Sequence, residues 1–232
     1  MSHVRPVQTV ADQIATRLRA ELHAGRFKPG EPLREEQVAE RFGVSRHPVR
    51  KVFQQLALEG LLLARRNCGV TVASPPNAAV CELLMPMRVQ IETYALRTCF
   101  DRLTRPVLQE WREALLPLRL ACEAGDNAAL FERDMDFHRS LLLRAGLDDL
   151  LPIWTLIINK TTSFYEHDLL SKEMLPAVHE VHTALLDVFA QGDVDAAAAA
   201  LSDHILNGEF NKRVHRRWRA EQRRQKTRDR QD

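Results

Sequence analysis

The run Phe42-Gly43-Val44-Ser45-Arg46-His47-Pro48-Val49-Arg50-Lys51-Val52-Phe53-Gln54-Gln55-Leu56, closed by Glu59-Gly60-Leu61, leaves the backbone little choice. Gly43 fits a tight turn, Ser45 can accept from the first free N–H groups of a helix, and Pro48 falls in the first turn, where no donor is lost. The spacing predicts a helix from about Arg46. Val49, Val52, Phe53 and Leu56 repeat at three and four residues and mark its inward face, which leaves Arg46, His47, Arg50 and Lys51 at the exposed start and side.

In front of it, Glu35 to Phe42 reads as a helix with Val38, Ala39 and Phe42 inward, so Gly43 turns one short helix into the next. This is the helix-turn-helix arrangement, whose second helix enters the DNA major groove by its N-terminal residues. An arginine there can donate twice to guanine O6 and N7, which makes Arg46 and Arg50 the first candidates for base reading. Ser45, His47 and Lys51 suit backbone contact, and Arg34 at the start of the preceding helix is a weaker candidate. A solvated basic face is the plain alternative. Val7 to Ala24 reads as a first helix with Val10, Ile14, Leu18 and Leu22 inward, followed by a turn-rich connection from Gly25 to Pro32. Leu61 to Ala73, with Gly69 between two short apolar pieces, reads as a hairpin whose Arg65 and Arg66 could touch phosphate.

The net charge of +2 hides a partition. Residues 1–75 carry 12 basic and 7 acidic side chains, residues 76–211 carry 11 and 21, and residues 212–232 carry 10 and 3. An acidic middle between basic ends places any polyanion at the ends. With 45% apolar residues, 232 positions suffice for two cored domains, and neither a membrane span nor a secretory signal pattern is present, so a cytoplasmic protein is expected. Cys68, Cys81, Cys99 and Cys122 are widely spaced, which suits reduced thiols.

Ser74-Pro75-Pro76-Asn77 marks a linker between residues 1–73 and a second domain at 78–211, with a basic tail at 212–232. Helices are expected near 78–103, 105–124, 127–145, 148–166, 172–191 and 194 to about 218, with Pro86 bending or trimming the first and Pro117 threatening the second. The fold class is therefore mainly α: an N-terminal winged helix-turn-helix and a C-terminal all-α antiparallel bundle.

Asp134 and His138 are four apart and project from one helix face, a spacing that lets two side chains share a metal ion. If the helices flanking Gly192-Asp193 form an antiparallel hairpin, His182 and His204 each lie roughly 16 Å from the turn at about 1.5 Å of rise per residue, hence side by side. A carboxylate and three imidazoles suit Zn²⁺ first, with Ni²⁺, Mn²⁺ and Fe²⁺ as alternatives. His179 reads as an ordinary core or surface residue.

Leu33-x-Glu35-x-x-Val38-Ala39, Gly43-Val44-Ser45-Arg46-x-Pro48-Val49-Arg50 and Leu56-x-x-Glu59-Gly60-Leu61 together resemble the winged-helix domain of GntR-family bacterial transcription regulators over about residues 7–73. Where that family commonly has a groove-reaching arginine before the wing glycine, this chain has Cys68. Asp134-x-x-Phe137-His138, Leu141, Ala145-Gly146, His182, Leu185-Leu186, Gly192-Asp193, Ala197 and His204 are similar to the FCD effector domain of FadR-type members, with Leu147 in place of the usual asparagine. The resemblance implies a divalent metal on Asp134, His138, His182 and His204, with a small carboxylate effector at its open positions. Arg88 and Glu92 match the family's Arg-x-x-x-Glu pattern. Arg88 would clamp the acid, with an intrahelical ion pair as the alternative, and Asn159, Thr162 and Tyr165 are candidate pocket residues by position alone. The implied function is that of a homodimeric regulator, a repressor, on a palindromic double-stranded DNA operator, and not an enzyme. A metal-dependent enzyme using the same quartet, with Glu92 or Glu166 as acid or base, and a regulator with a structural or sensed metal remain as alternatives.

Overall fold

The computed structural model describes residues 9–65, 69–74, 76–162 and 175–207. The chain divides into two compact units at Pro75/Pro76.

In the first unit, helix α1 (Val10–His23) starts at a reciprocal cap in which Thr9 Oγ1 accepts from Asp12 N and the Asp12 carboxylate accepts from Thr9 N. Ile14 and Leu18 are buried, but Val10 is 52% exposed, so the inward stripe begins one turn later than its spacing predicts. Strand β1 (Pro32–Leu33) emerges from the turn-rich connection, where the sequence shows too few residues to display an alternation. Helices α2 (Glu35–Phe42) and α3 (Arg46–Leu58) follow, and Val49, Val52, Phe53 and Leu56 are all buried. Gly43 has φ +65°, and the N–H groups of Gly43 and Val44 return to Glu40 O and Ala39 O. Gly60 ends α3 in the same way at φ +78°, with Leu61 N donating to Leu56 O. Ser45 occupies the capping position of α3 with extended backbone, but its side chain makes no cap hydrogen bond, so the expected Ser45 cap is corrected. Strands β2 (Leu62–Arg65) and β3 (Gly69–Val72) pair antiparallel, and β1 joins the other edge of β3 to give the order β1-β3-β2.

Two acidic residues tie this unit together. The Glu59 carboxylate accepts twice from Arg19, at 2.7 and 2.8 Å, and so binds the end of α3 to α1. Glu21 is 5% exposed and accepts from both terminal nitrogens of Arg41 on α2, with Arg17 and Arg26 nearby. Burial pushes the Glu21 carboxyl up, but the Arg41 hydrogen bonds and charge outweigh it and hold it below its ordinary 4.5. A depressed carboxyl contributes stability above its unfolded pKa and loses it as pH falls through the folded value. Glu21→Gln is therefore expected to cost about 1–2 kcal/mol at neutral pH, allowing for the half-exposed arginine. That difference should shrink below about pH 4.5 as the wild-type carboxyl is protonated, read from urea unfolding at several pH values. A constant difference from pH 7 to 3 would contradict it.

The second unit is helical throughout its described residues. Helix α4 (Ala78–Cys99) starts where Asn77 Oδ1 accepts from Val80 N and runs on through Pro86, which sits on the exposed side, so its start is not trimmed at Pro86. Met85, Arg88, Glu92, Ala95, Leu96 and Cys99 form its buried stripe. The helix expected over 105–124 is two helices, α5 (Arg105–Ala114) and α6 (Leu116–Ala124). Pro117 cannot donate to the carbonyl four residues back, and its ring presses on that turn, so the chain breaks at Leu115. Then come α7 (Asn127–Ala145), capped by Asp126, α8 (Leu151–Thr162), α9 (Leu175–Phe189) and α10 (Val194–Asn207). Among the described residues this makes seven α-helices where six helices were expected. Cores of Leu96, Leu118, Leu141, Leu142, Trp154, Leu186 and Leu201 join them, with Trp111 edge-on to Phe137 and Phe189. No helix among the described residues is long and apolar enough to cross a membrane. Cys81, Cys99 and Cys122 are free thiols.

Candidate metal centre and nucleic-acid interface

Three helices bring the quartet together. Asp134 and His138 lie one turn apart on α7, which packs against α4. Helices α9 and α10 form the antiparallel hairpin, its turn held by Asp193 Oδ1 accepting from the N–H groups of Asp195 and Ala196. The hairpin sets the rings of His182 and His204 4.6 Å apart. One ligand atom from each of Asp134, His138, His182 and His204 lies within 4.8 Å of every other, the one such group of histidine, cysteine and carboxylate side chains among the described residues.

The short separations fit a shared cation. His138 Nε2 and His204 Nε2 are 3.3 Å apart, and His182 Nε2 is 2.8 Å from Asp134 Oδ1. Two donors each about 2.1 Å from one ion, at angles of about 90 to 109°, stand roughly 3.0 to 3.4 Å apart, a range that holds the His138–His204 pair, with the His182–Asp134 pair just below it. His182 Nε2 approaches Asp134 at contact distance but is misaligned for a hydrogen bond, and it is buried with none, as is His204 Nδ1. A buried ring nitrogen set beside a carboxylate but not pointed along a hydrogen bond to it is the arrangement of two groups facing a common point.

The remaining ring nitrogens fix which atom faces inward. His182 Nδ1 is 2.7 Å from the Val178 carbonyl, which only accepts, so Nδ1 donates there and Nε2 is the nitrogen turned toward Asp134. His138 Nδ1 is 2.6 Å from Glu92 Oε2. Glu92, fully buried, accepts at Oε1 from Arg88 Nε (2.7 Å) and Trp154 Nε1 (2.8 Å). Its two oxygens are thus committed to α4, α7 and α8. Burial raises the Glu92 carboxyl, but Arg88 and His138 outweigh it and bring it down to about 2. Burial likewise opposes the charge on Asp134, yet His182 and the other imidazoles hold it well below the usual carboxylate range. His182 is lowered by burial and raised further by Asp134, with a net rise, whereas burial and the neighbouring imidazoles push His204 far down. Phe137, itself part of the core, stands edge-on to His138 and His182.

Of the other pocket candidates, Arg88 is 3% exposed and engaged with Glu92, so the intrahelical pair is present. Asn159 is buried on α8, which packs against α4. Thr162 ends α8, and Tyr165 and Glu166 lie outside the described residues. His179 is one turn before His182 and outside the quartet. Trp154 was not legible as a partner of Glu92: a tryptophan in an apolar helix carries no mark of what its N–H will meet.

In the first unit, Ser45, Arg46, His47, Arg50 and Lys51 are all exposed along the first turns of α3, and Arg34 is exposed at the start of α2. Arg65 ends β2, and Arg66 and Cys68 lie outside the described residues, as does the tail from residue 208. That α2 reaches across to the basic residues of α3 is not legible in the sequence. Glu35 accepts from Arg50 Nε and Nη2, both at 2.9 Å, and from Arg46 Nη2 at 3.3 Å, while Glu36 lies 2.8 Å from Arg46 Nη1.

Residues 10–72 match the bacterial regulatory proteins of the gntR family, and residues 83–207 match the FCD domain. The chain belongs to the GntR family, in its FCD-containing, FadR-like branch. This GntR/FCD regulator is 29% identical over 212 residues to the HTH-type transcriptional repressor RspR of Escherichia coli K12, covering 88% of this chain and 89% of that protein. It is 25% identical over 210 residues to the galactonate operon transcriptional repressor of the same organism, covering 82% and 90%. Its fold is that of E. coli McbR/YncC, at a TM-score of 0.75 and 20% identity over 91% of this chain and 100% of the other. The metal-dependent enzyme drawn as an alternative from the quartet is set aside by this membership, since the relatives are regulators of transcription.

Proposed function

We propose that this regulator is a repressor that binds a palindromic operator as a homodimer, reads it through Arg46 and Arg50, and responds to a small organic acid at a divalent metal held by Asp134, His138, His182 and His204. The observation that carries the reading is the convergence of those four side chains within 4.8 Å, with the outer nitrogens of His138 and His182 already held by Glu92 and a backbone carbonyl. Such outer partners orient imidazoles toward an ion. A bound Zn²⁺, Ni²⁺, Mn²⁺ or Fe²⁺ would supply exchangeable positions for a carboxylate. Arg88, buried beside Glu92, is the side chain suited to the acid's charge, and Asn159, Thr162 and Tyr165 are carried as pocket candidates by sequence position alone. The name of the galactonate operon repressor, a relative over most of both chains, associates that protein with a carboxylate.

An acid alters DNA affinity only to the extent that it prefers one state of the protein over another. Residues 74–77 join the two units and are the place for that difference to pass. His47, Lys51, Ser45, Arg34, Arg65 and Arg66 suit phosphate contact, which adds affinity without sequence information. The test is isothermal titration of the metal-loaded protein with mono-, di- and tricarboxylates, repeated on His182→Ala, followed by operator binding with and without any acid that binds. Binding abolished by the substitution supports the effector site. Stoichiometric metal with no acid response would instead make the site structural or metal-sensing. For operator reading, Arg50→Ala is expected to weaken operator binding by about 5- to 100-fold while barely changing binding to scrambled DNA, measured by fluorescence anisotropy.

A further inference from the structure

The two arginines at the head of α3 are half-exposed yet held by acids. Arg46 is 54% exposed and Arg50 58%, whereas Glu35 is only 22% exposed. Glu35 is the first residue of α2 and lies across the turn at Gly43 from both of them. Its two oxygens accept from Nε and Nη2 of Arg50 in the parallel, two-bond geometry that fixes a guanidinium plane. This edge-on hold commits the Nε side of Arg50. The outer edge, formed by Nη1 and the second proton of Nη2, is left in the arrangement that matches guanine O6 and N7. Arg46 differs. Its Nη2 is on Glu35 and its Nη1 on Glu36, so the same outer edge is already occupied by carboxylates.

We infer that Glu35 is a positioning residue for DNA reading: it locks the guanidinium of Arg50 with its base-reading edge outward, and its charge offsets the pull of this basic head on phosphate. The inference rests on the proposed role of Arg50 as a base reader. An arginine free to swing would find a phosphate oxygen as readily as a base, because phosphate contact demands only charge and carries no sequence information. An arginine already planar and clamped loses less freedom when it meets a base, which favours the sequence that offers O6 and N7 at that spot. Arg46 must exchange a carboxylate for DNA, so its contact is a replacement and not an addition.

The test uses full-length wild type, Glu35→Gln, Arg50→Ala, the double variant and Glu36→Gln. Each is measured by fluorescence anisotropy on the duplex that wild type selects from a randomised pool and on a scrambled duplex, at about 50 to 200 mM salt. Thermal melting checks that each variant is folded. Glu35→Gln is expected to lower the ratio of selected to scrambled affinity by about tenfold, with tighter scrambled binding and a salt slope steeper by about one. In the Arg50→Ala background it should change the ratio by less than about twofold, since the clamp then has nothing to hold. Glu36→Gln removes the same charge from the same turn and should change the ratio by less than about threefold. Equal shifts on both duplexes, an effect that persists without Arg50, or an equal effect from Glu36→Gln would overturn the inference while leaving Arg50 as a reader. If Arg50→Ala leaves the ratio unchanged, the proposed reading role fails and the inference falls with it.

Discussion

A His182→Ala protein is expected to lose stoichiometric divalent metal on purification, with affinity for Zn²⁺ lower by about 10²- to 10³-fold in competition against a chromophoric chelator. Four-ligand sites with closed coordination bind zinc by about 10–16 kcal/mol, so one ligand accounts for roughly 3–4 kcal/mol. His182 is a demanding position to empty. Its Nδ1 is anchored to the Val178 carbonyl, its Nε2 is buried without a hydrogen bond, and its ring is the nearest of the imidazoles to the Asp134 carboxylate, at 2.8 Å. Added metal should raise the melting temperature of wild type by mass action and leave that of the variant unmoved. His179→Ala is the control one turn away, outside the quartet, and should retain wild-type affinity. Wild-type metal affinity in His182→Ala would show that these four side chains do not hold the ion.

The second large effect is at Glu92. Glu92→Ala is expected to destabilise the helical unit by about 3–5 kcal/mol in urea unfolding, because it leaves the Arg88 charge, 4% exposed, buried without its carboxylate. It also strips partners from His138 Nδ1 and Trp154 Nε1. Glu92→Gln separates that structural loss from the electronic one. The amide keeps the shape and one acceptor but removes the carboxylate charge that orients the His138 ring, so metal affinity should fall by about 10- to 100-fold in a protein that still folds. An unchanged affinity in Glu92→Gln would reduce Glu92 to a packing and ion-pairing residue. Trp154 offers an independent readout, since its indole donates to the same carboxylate and its fluorescence should shift in both variants.

Much of this architecture is written in short-range chemistry. The helix-turn-helix is legible because Gly43 suits positive φ, Pro48 suits a first turn, where no donor is lost, and Val49, Val52, Phe53 and Leu56 repeat at helical spacing. The pairing of His182 with His204 is legible because a tight turn at Gly192-Asp193 and a fixed rise per residue leave them at matching heights. The break at Leu115 could be feared from Pro117 but not decided, since prolines are also tolerated within helices, as Pro86 is. Strand β1, two residues long, has no pattern of its own and exists because β3 offers an edge.

What the sequence alone determined is therefore most of the helices, the basic head of α3 and the side chains of the quartet, since each follows from backbone preference, periodicity or spacing along one helix or one hairpin. Tertiary structure decided what surrounds them. Glu92 lies 46 residues from His138 and 62 from Trp154, and Glu35 lies 15 residues from Arg50. No local rule links such pairs. A carboxylate reads the same in sequence whether it faces solvent, pairs one turn along its helix or supports an imidazole on another. Only the packing of α4 against α7 and α8, and of α2 against α3, determines which donors meet its oxygens and which charges outweigh its burial.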